Sequence, residues 1–218
     1  MKKGENRKQE KAIKRRAQSK LARKESAQAK AASAVRYIHQ ARGYPLEGCW
    51  VQSGWTETGL AVVTVARQQP NGNIVFGNYL VDHFCLGLKD TYCRVEVPPE
   101  AFHQDYLPRA YSEYQAVSIS PALAHEIIYG GIEYAARFGF SPHHDFALSQ
   151  DILDPPDAHP QSGKVTFGYK EGKPLYVSGP RDDVQAIMDQ LMRTAGPGNF
   201  DYLVAWQAAD DLLDSDGS

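Results

Sequence analysis

Residues 60–93 read LAVVTVARQQPNGNIVFGNYLVDHFCLGLKDTYC, two apolar runs, Leu60–Ala66 and Ile74–Cys85, set about Gln69-Pro70-Asn71-Gly72-Asn73. Asn-Gly between runs rich in Val, Ile, Phe and Tyr is the local signal of a β-hairpin. In the first run Leu60, Val62, Thr64 and Ala66 alternate with Ala61, Val63 and Val65. A strand with one wet face would alternate with polar side chains, so this pair is expected in mid-sheet with both faces covered. Asp82 shares a strand face with Ile74, Phe76, Leu80 and Phe84, unusual company for a carboxylate.

Upstream, Leu46–Gln52 reads as a strand and Gly54–Gly59 as a loop, which extends the hairpin to a meander. Downstream, Thr91–Val97 reads as a short strand closed by Pro98-Pro99. A short helix or turn near Glu100–Tyr106 and an irregular run to Val117 follow. Ser120-Pro121 is a helix start, a serine cap with proline in the first helical position, and predicts a helix from Pro121 to Phe138. Its Gly130-Gly131 pair costs ~1 kcal/mol per glycine relative to alanine, which points to close packing there. Ser141-Pro142 repeats the signal for a helix over His143–Ile152, and Asp154–Pro160 is a rigid extended loop. Val165, Phe167 and Tyr169 alternate with Thr166, Gly168 and Lys170 as a half-buried strand, turned back at Lys170–Lys173 into Leu175–Ser178. Val184, Ile187, Met188, Leu191, Met192 and Ala195 form one face of an amphipathic helix over Arg181–Ala195. Phe200–Trp206 reads as a last strand or helical turn. The expected fold is therefore α+β: an antiparallel sheet of five or six strands, a meander plus a later hairpin, packed by two main amphipathic helices.

The net charge of −2 hides a division along the chain. Residues 1–42 hold fourteen Lys and Arg against three Glu, a net +11, and the rest holds ten basic and twenty-three acidic residues, a net −13. Three parts follow: a basic, largely solvated helical arm over 1–42, one α+β domain over 43–207, and an acidic frayed tail over 208–218. The arm is rich in helix formers, but Ile13, Ala17 and Leu21 make only a thin apolar stripe. No apolar run approaches the ~20 residues of a membrane helix, and the arm's alanine-rich, poorly apolar surface does not suit membrane insertion. Cys49, Cys85 and Cys93 have neither disulfide-like nor zinc-like spacing, so a reducing, cytoplasmic setting is expected.

Two sets of candidate residues carry chemistry. Lys11, Lys14, Arg15, Arg16, Lys20, Arg23 and Lys24 suit phosphate neutralisation, so the leading expectation is a non-catalytic protein that docks on RNA, DNA or a ribonucleoprotein, its body offering a second contact or a protein-partner surface. The alternative is a hydrolase or nuclease using Asp82, Lys89, Asp90, Glu126 and Glu133, with Mg or Mn as the only cofactor in view. The plainer reading of that set is that Asp82 braces a turn, Lys89 pairs with Asp90, and the glutamates line a solvated helix face. A third reading is a protein-interaction module with a solubilising tail. His143-His144-Asp145 is a weak metal candidate, because adjacent residues do not share a helix face. Leu86-Gly87-Leu88-Lys89-Asp90 lacks the second glycine and the Lys-Ser/Thr pair of a phosphate loop, and Gly-x-Ser-x-Gly is absent.

Overall fold

The computed structural model describes residues 2–160 and 162–204, with side chains described from Arg15 onward, Ala17 excepted. The body is a five-stranded antiparallel sheet of order β4-β3-β2-β1-β5. Its strands are β1 (Leu46–Gln52), β2 (Leu60–Gln68), β3 (Ile74–Asp82), β4 (Gly87–Val97) and β5 (Ala116–Ile119). The β2–β3 pair occupies the interior of the sheet and is buried along nearly its whole length. At its turn, the Gln69 N–H donates to the Asn73 carbonyl at 2.7 Å. The two alternating sets of β2 serve two cores. Ala61, Val63 and Val65 face α3 (residues 121–136) and α4 (Phe146–Ser149, continued as a 3-10 turn through Ile152). Val62 and Ala66 face α2 (residues 99–110).

Ser120 caps α3 as its sequence predicts, accepting the Leu123 N–H at 3.2 Å. The glycine pair is a site of close approach. A Cβ on Gly131 would stand 2.6 Å from Val81 Cγ1, and one on Gly130 would run into the Phe167 ring. Each of the two long body helices contains a π-turn, Phe102–Tyr106 in α2 and Glu126–Gly130 in α3. In α2 the following Pro108 has no N–H to give to the regular ladder, which favours a widened turn before it.

Three stretches differ from expectation. β4 begins at Gly87, four residues before Thr91, so Lys89 and Asp90 belong to a strand and not to a turn. Val81 pairs with Leu88 and Leu80 with Asp90, which leaves Lys89 as a bulge residue. Ala116–Ile119, read as largely irregular, is the edge strand beside β1. The expected later hairpin is absent. Val165–Tyr169 forms no strand, and β6 (Leu175–Val177) pairs in parallel with β7 (Asp201–Leu203) across the intervening helix α5 (Val184–Thr194). The alternation of Val165 and Phe167 has another cause: Val165 enters the α3-side core and Phe167 packs on Gly130. β6, β7 and α5 bury Tyr176, Leu191 and Phe200 against Cys85 and Leu86 at the β3–β4 turn, a third core at that end of the sheet. Trp206 and the acidic tail 208–218 lie outside the described residues.

The N-terminal helix α1 runs over Lys2–Gln40. Its last turns join the body: Ile38 and the following Ala41, which the sequence reading assigned to the arm, are buried in the α3-side core. Arg42 donates to the Leu153 and Gln150 carbonyls at 2.8 and 3.1 Å. Two burying residues a turn apart are too few to register in a charged 42-residue stretch.

Candidate functional site

Three candidates of the hydrolase reading, Asp82, Lys89 and Glu126, are held by hydrogen-bond partners of their own. Asp82 is buried and its Oδ1 accepts the backbone N–H groups of Phe84 and Cys85 at 3.0 and 2.9 Å, so it braces the β3–β4 turn. Burial pushes its carboxyl upward, against the hydrogen bonds and the Lys89 charge that draw it down. Lys89 pairs with Asp182 at 2.9 Å and not with Asp90; the two side chains are 19% and 11% exposed. A bulge re-aims a side chain from its strand, and here it sends Lys89 to the α5 side of the molecule. Burial opposes ionisation of Asp182, but the Lys89 hydrogen bond and charge and the Gly179 N–H outweigh it and hold the carboxyl below its usual range. Asp90 stays exposed on β4, its Oδ1 4.0 Å from His143 Nε2.

Glu126 fastens a loop. One carboxylate oxygen accepts the Ser162 N–H and hydroxyl at 3.0 and 2.5 Å, and the other accepts the Val165 N–H at 3.3 Å. Burial acts to raise this carboxyl, and those donors together bring it below its usual range. Glu133 lies on the exposed side of α3. Asp82 and Glu126 thus brace different segments, the β3–β4 turn and the stretch Ser162–Val165. Among the described residues, the one group of His, Cys, Asp and Glu close enough to share an ion is His143, His144 and Asp145, with ligand atoms within 4.8 Å of one another. That group is largely exposed, and it is distinct from the carboxylate set proposed for Mg or Mn.

On the arm, Arg15, Arg16, Lys20, Arg23 and Lys24 are all exposed, as is Lys30. Lys11 and Lys14 lie outside the residues whose side chains are described. Leu21, the described member of the apolar stripe, is 57% exposed. Between Arg15 and Ser33 no side chain of α1 with a described position is buried.

The sequence reading missed a buried cation that ties three segments of the body together. Arg67 is 5% exposed. Its Nε donates to the Ile152 carbonyl at 2.7 Å, one terminal nitrogen to the Tyr44 carbonyl at 3.0 Å, and the other to Asp154 Oδ1 at 2.5 Å. His159 Nε2 lies 2.9 Å from the second Asp154 oxygen, and His125 Nε2 lies 3.0 Å from the Asp154 carbonyl. One cation therefore ties the α1–β1 junction, the end of α4 and the Asp154–Pro160 loop together. A signal was present, because Arg67 continues the inward series Ala61, Val63, Val65, and a charge in phase with a buried face requires a partner. That partner lies 87 residues away in sequence.

This cluster makes stability depend on pH. Burial holds His125, between Tyr129, His159 and the Asp154 carbonyl, below its ordinary 6.5. A group depressed in this way protonates more readily in the unfolded chain, so its contribution is complete above pH 6.5 and is lost as pH falls toward its folded value. The depressed carboxyls of Glu126, Asp154 and Asp182 add a second loss below about pH 4, where unfolded carboxylates protonate. Asp82, raised by burial, works in the opposite sense at that end. The thermal midpoint is expected to fall in two stages between pH 7.5 and pH 3, and His125→Gln should remove the upper stage. A midpoint flat from pH 7 to pH 5 in the unaltered protein would contradict this assignment.

Comparison with known proteins adds no constraint: no protein-family model, curated protein or solved structure matches this chain.

Proposed function

We propose that this protein docks on nucleic acid, alone or within a ribonucleoprotein, through the basic helix α1. The observation that carries the reading is a helical stretch exposed round its circumference, with Arg15, Arg16, Lys20, Arg23, Lys24 and Lys30 against Glu25. A helix built to pack on a protein presents an apolar stripe, and one built to lie on a membrane presents an apolar face opposite a basic one. This stretch has neither, and its surface suits a polyanion. Lysine and arginine gain affinity there by releasing condensed counterions, which positions the protein without reading sequence. At 1.5 Å per residue the 39 residues of α1 span about 58 Å, enough to follow many phosphates. The body carries the opposite net charge, so the helix supplies the charge-driven contact with the phosphate backbone. The three unpaired thiols suit a reducing compartment such as the cytosol.

The test is a chain lacking residues 2–33, which keeps Ile38, Ala41 and Arg42. It is expected to melt cooperatively within a few degrees of the full chain and to lose binding to RNA and DNA duplexes at low salt. Equal binding by the shortened chain would transfer the function to the body. No binding by the full chain would leave α1 as a solubilising tail or as a clasp for a protein partner.

A further inference from the structure

On the α2 side of the sheet, a cleft of about 410 Å³ opens between β4 and α2. Its size is within the range of small-molecule sites, about 300–1,000 Å³. Two periodicities build it. Tyr92 and Arg94 are two apart on β4 and so share a strand face, and Asp105 and Arg109 are four apart on α2 and so share a helix side. Each wall also carries an irregularity where it meets the cleft. The β4 bulge next to Arg94 holds Glu96 at a φ of 54°, and the π-turn Phe102–Tyr106 spans Asp105. Bulges and π-turns re-aim side chains and recur beside functional sites.

The floor is aromatic and fixed. Phe76 and Tyr106 pack with ring centroids 4.1 Å apart, and the Tyr106 and Tyr92 hydroxyls hydrogen-bond at 2.9 Å. Tyr92 is thereby held in place although it is 41% exposed. Arg94 and Arg109 line the same cleft, and among the described residues neither has a carboxylate within 4.0 Å. That includes Asp105, which lines the same cleft. Like charges brought to one cleft repel each other unless an anion joins them, and arginine's planar fork is suited to phosphate. A ligand matched to this set has a flat π face, a phosphate and an N–H or O–H donor for the acceptor-only carboxylate.

We infer that the cleft binds a nucleotide unit, its base on Tyr92, its phosphate between Arg94 and Arg109, and a base or sugar donor on Asp105. The site is independent of α1, because all of its residues belong to the body. The same unit is offered by a free mononucleotide and by a link in a single strand, and the experiment separates them.

The experiment titrates the full chain with AMP, GMP, CMP and UMP, with adenosine, with inorganic phosphate and with a single-stranded RNA hexamer, and follows heat and tyrosine fluorescence. Saturable binding of at least one mononucleotide, tighter than adenosine or phosphate alone, is expected. Arg94→Gln and Arg109→Gln should each weaken it about ten- to hundred-fold, the range for hydrogen bonds to charged groups. Tyr92→Ala should weaken it about five-fold or more, through lost stacking. These side chains are surface groups, and an unchanged thermal midpoint confirms that the variants fold. A chain with Arg15, Arg16, Lys20, Arg23, Lys24 and Lys30 changed to Gln should bind the mononucleotide as the unaltered chain does. Hexamer binding that falls with Arg94→Gln, even where free mononucleotides bind weakly, supports the site with the strand as its source. Phosphate binding as tightly as every nucleotide would overturn the inference in favour of a bare anion site. Indifference of all probes to Arg94→Gln and Arg109→Gln would overturn it outright, whatever α1 binds.

Discussion

Asp154→Ala is expected to cost about 3 kcal/mol of folding stability, within the range for breaking a buried ion pair from one side. The residue removed is partly exposed, and the cost arises at its partner: Arg67 stays buried, keeps its Ile152 and Tyr44 carbonyl acceptors, and loses its compensating charge. Arg67→Met should cost less, since a long apolar side chain fills the same space and leaves a partly exposed carboxylate still facing His159. The double variant Arg67→Met, Asp154→Leu should recover part of the loss, because replacing a whole buried pair by apolar groups is often neutral. Urea unfolding of the three variants checks this. A loss below 1 kcal/mol for Asp154→Ala would mean that the backbone carbonyls alone satisfy Arg67.

The largest effect is expected on affinity. If α1 makes six to ten phosphate contacts, binding to a duplex should weaken by about 10³–10⁵-fold between 50 and 200 mM salt. Each Gln substitution at an exposed arm residue such as Arg16 or Lys20 should lower the slope of log K against log salt by about one. Preference between unrelated duplex sequences should be slight, since phosphate contacts position a protein without reading bases. A slope near zero, or a large preference for one sequence, would remove counterion release as the driving force.

The local signals that were legible in the chain are those in which one short stretch settles the geometry. Asn71-Gly72 between two doubly apolar runs gives the β2–β3 hairpin, and Ser120-Pro121 gives the start of α3. Gly130-Gly131 gives a close approach without saying to what, and the partners turn out to be Phe167 and Val81. The polar pair Lys89-Asp90 concealed the start of β4, because an edge strand tolerates exposed charge and a bulge breaks the alternation that would have revealed it. Val165–Tyr169 misled for the opposite reason: its alternating pattern records two separate insertions into neighbouring surfaces, with no strand beside it. The convergence of Arg94 with Arg109, and of Arg67 with Asp154, depends on how distant segments come together. No periodicity within either segment encodes that.

The measurement closest to the central claim compares two full-length chains on one RNA duplex at about 50 mM salt. One is unaltered, and the other carries Gln at positions 15, 16, 20, 23, 24 and 30. Both keep the same helix-forming composition and the same body, so they differ in charge alone. The account predicts that the unaltered chain binds and that the neutralised chain binds at least a hundred-fold more weakly, with the same thermal midpoint. Equal affinity for the two chains, or no binding by either, would contradict it.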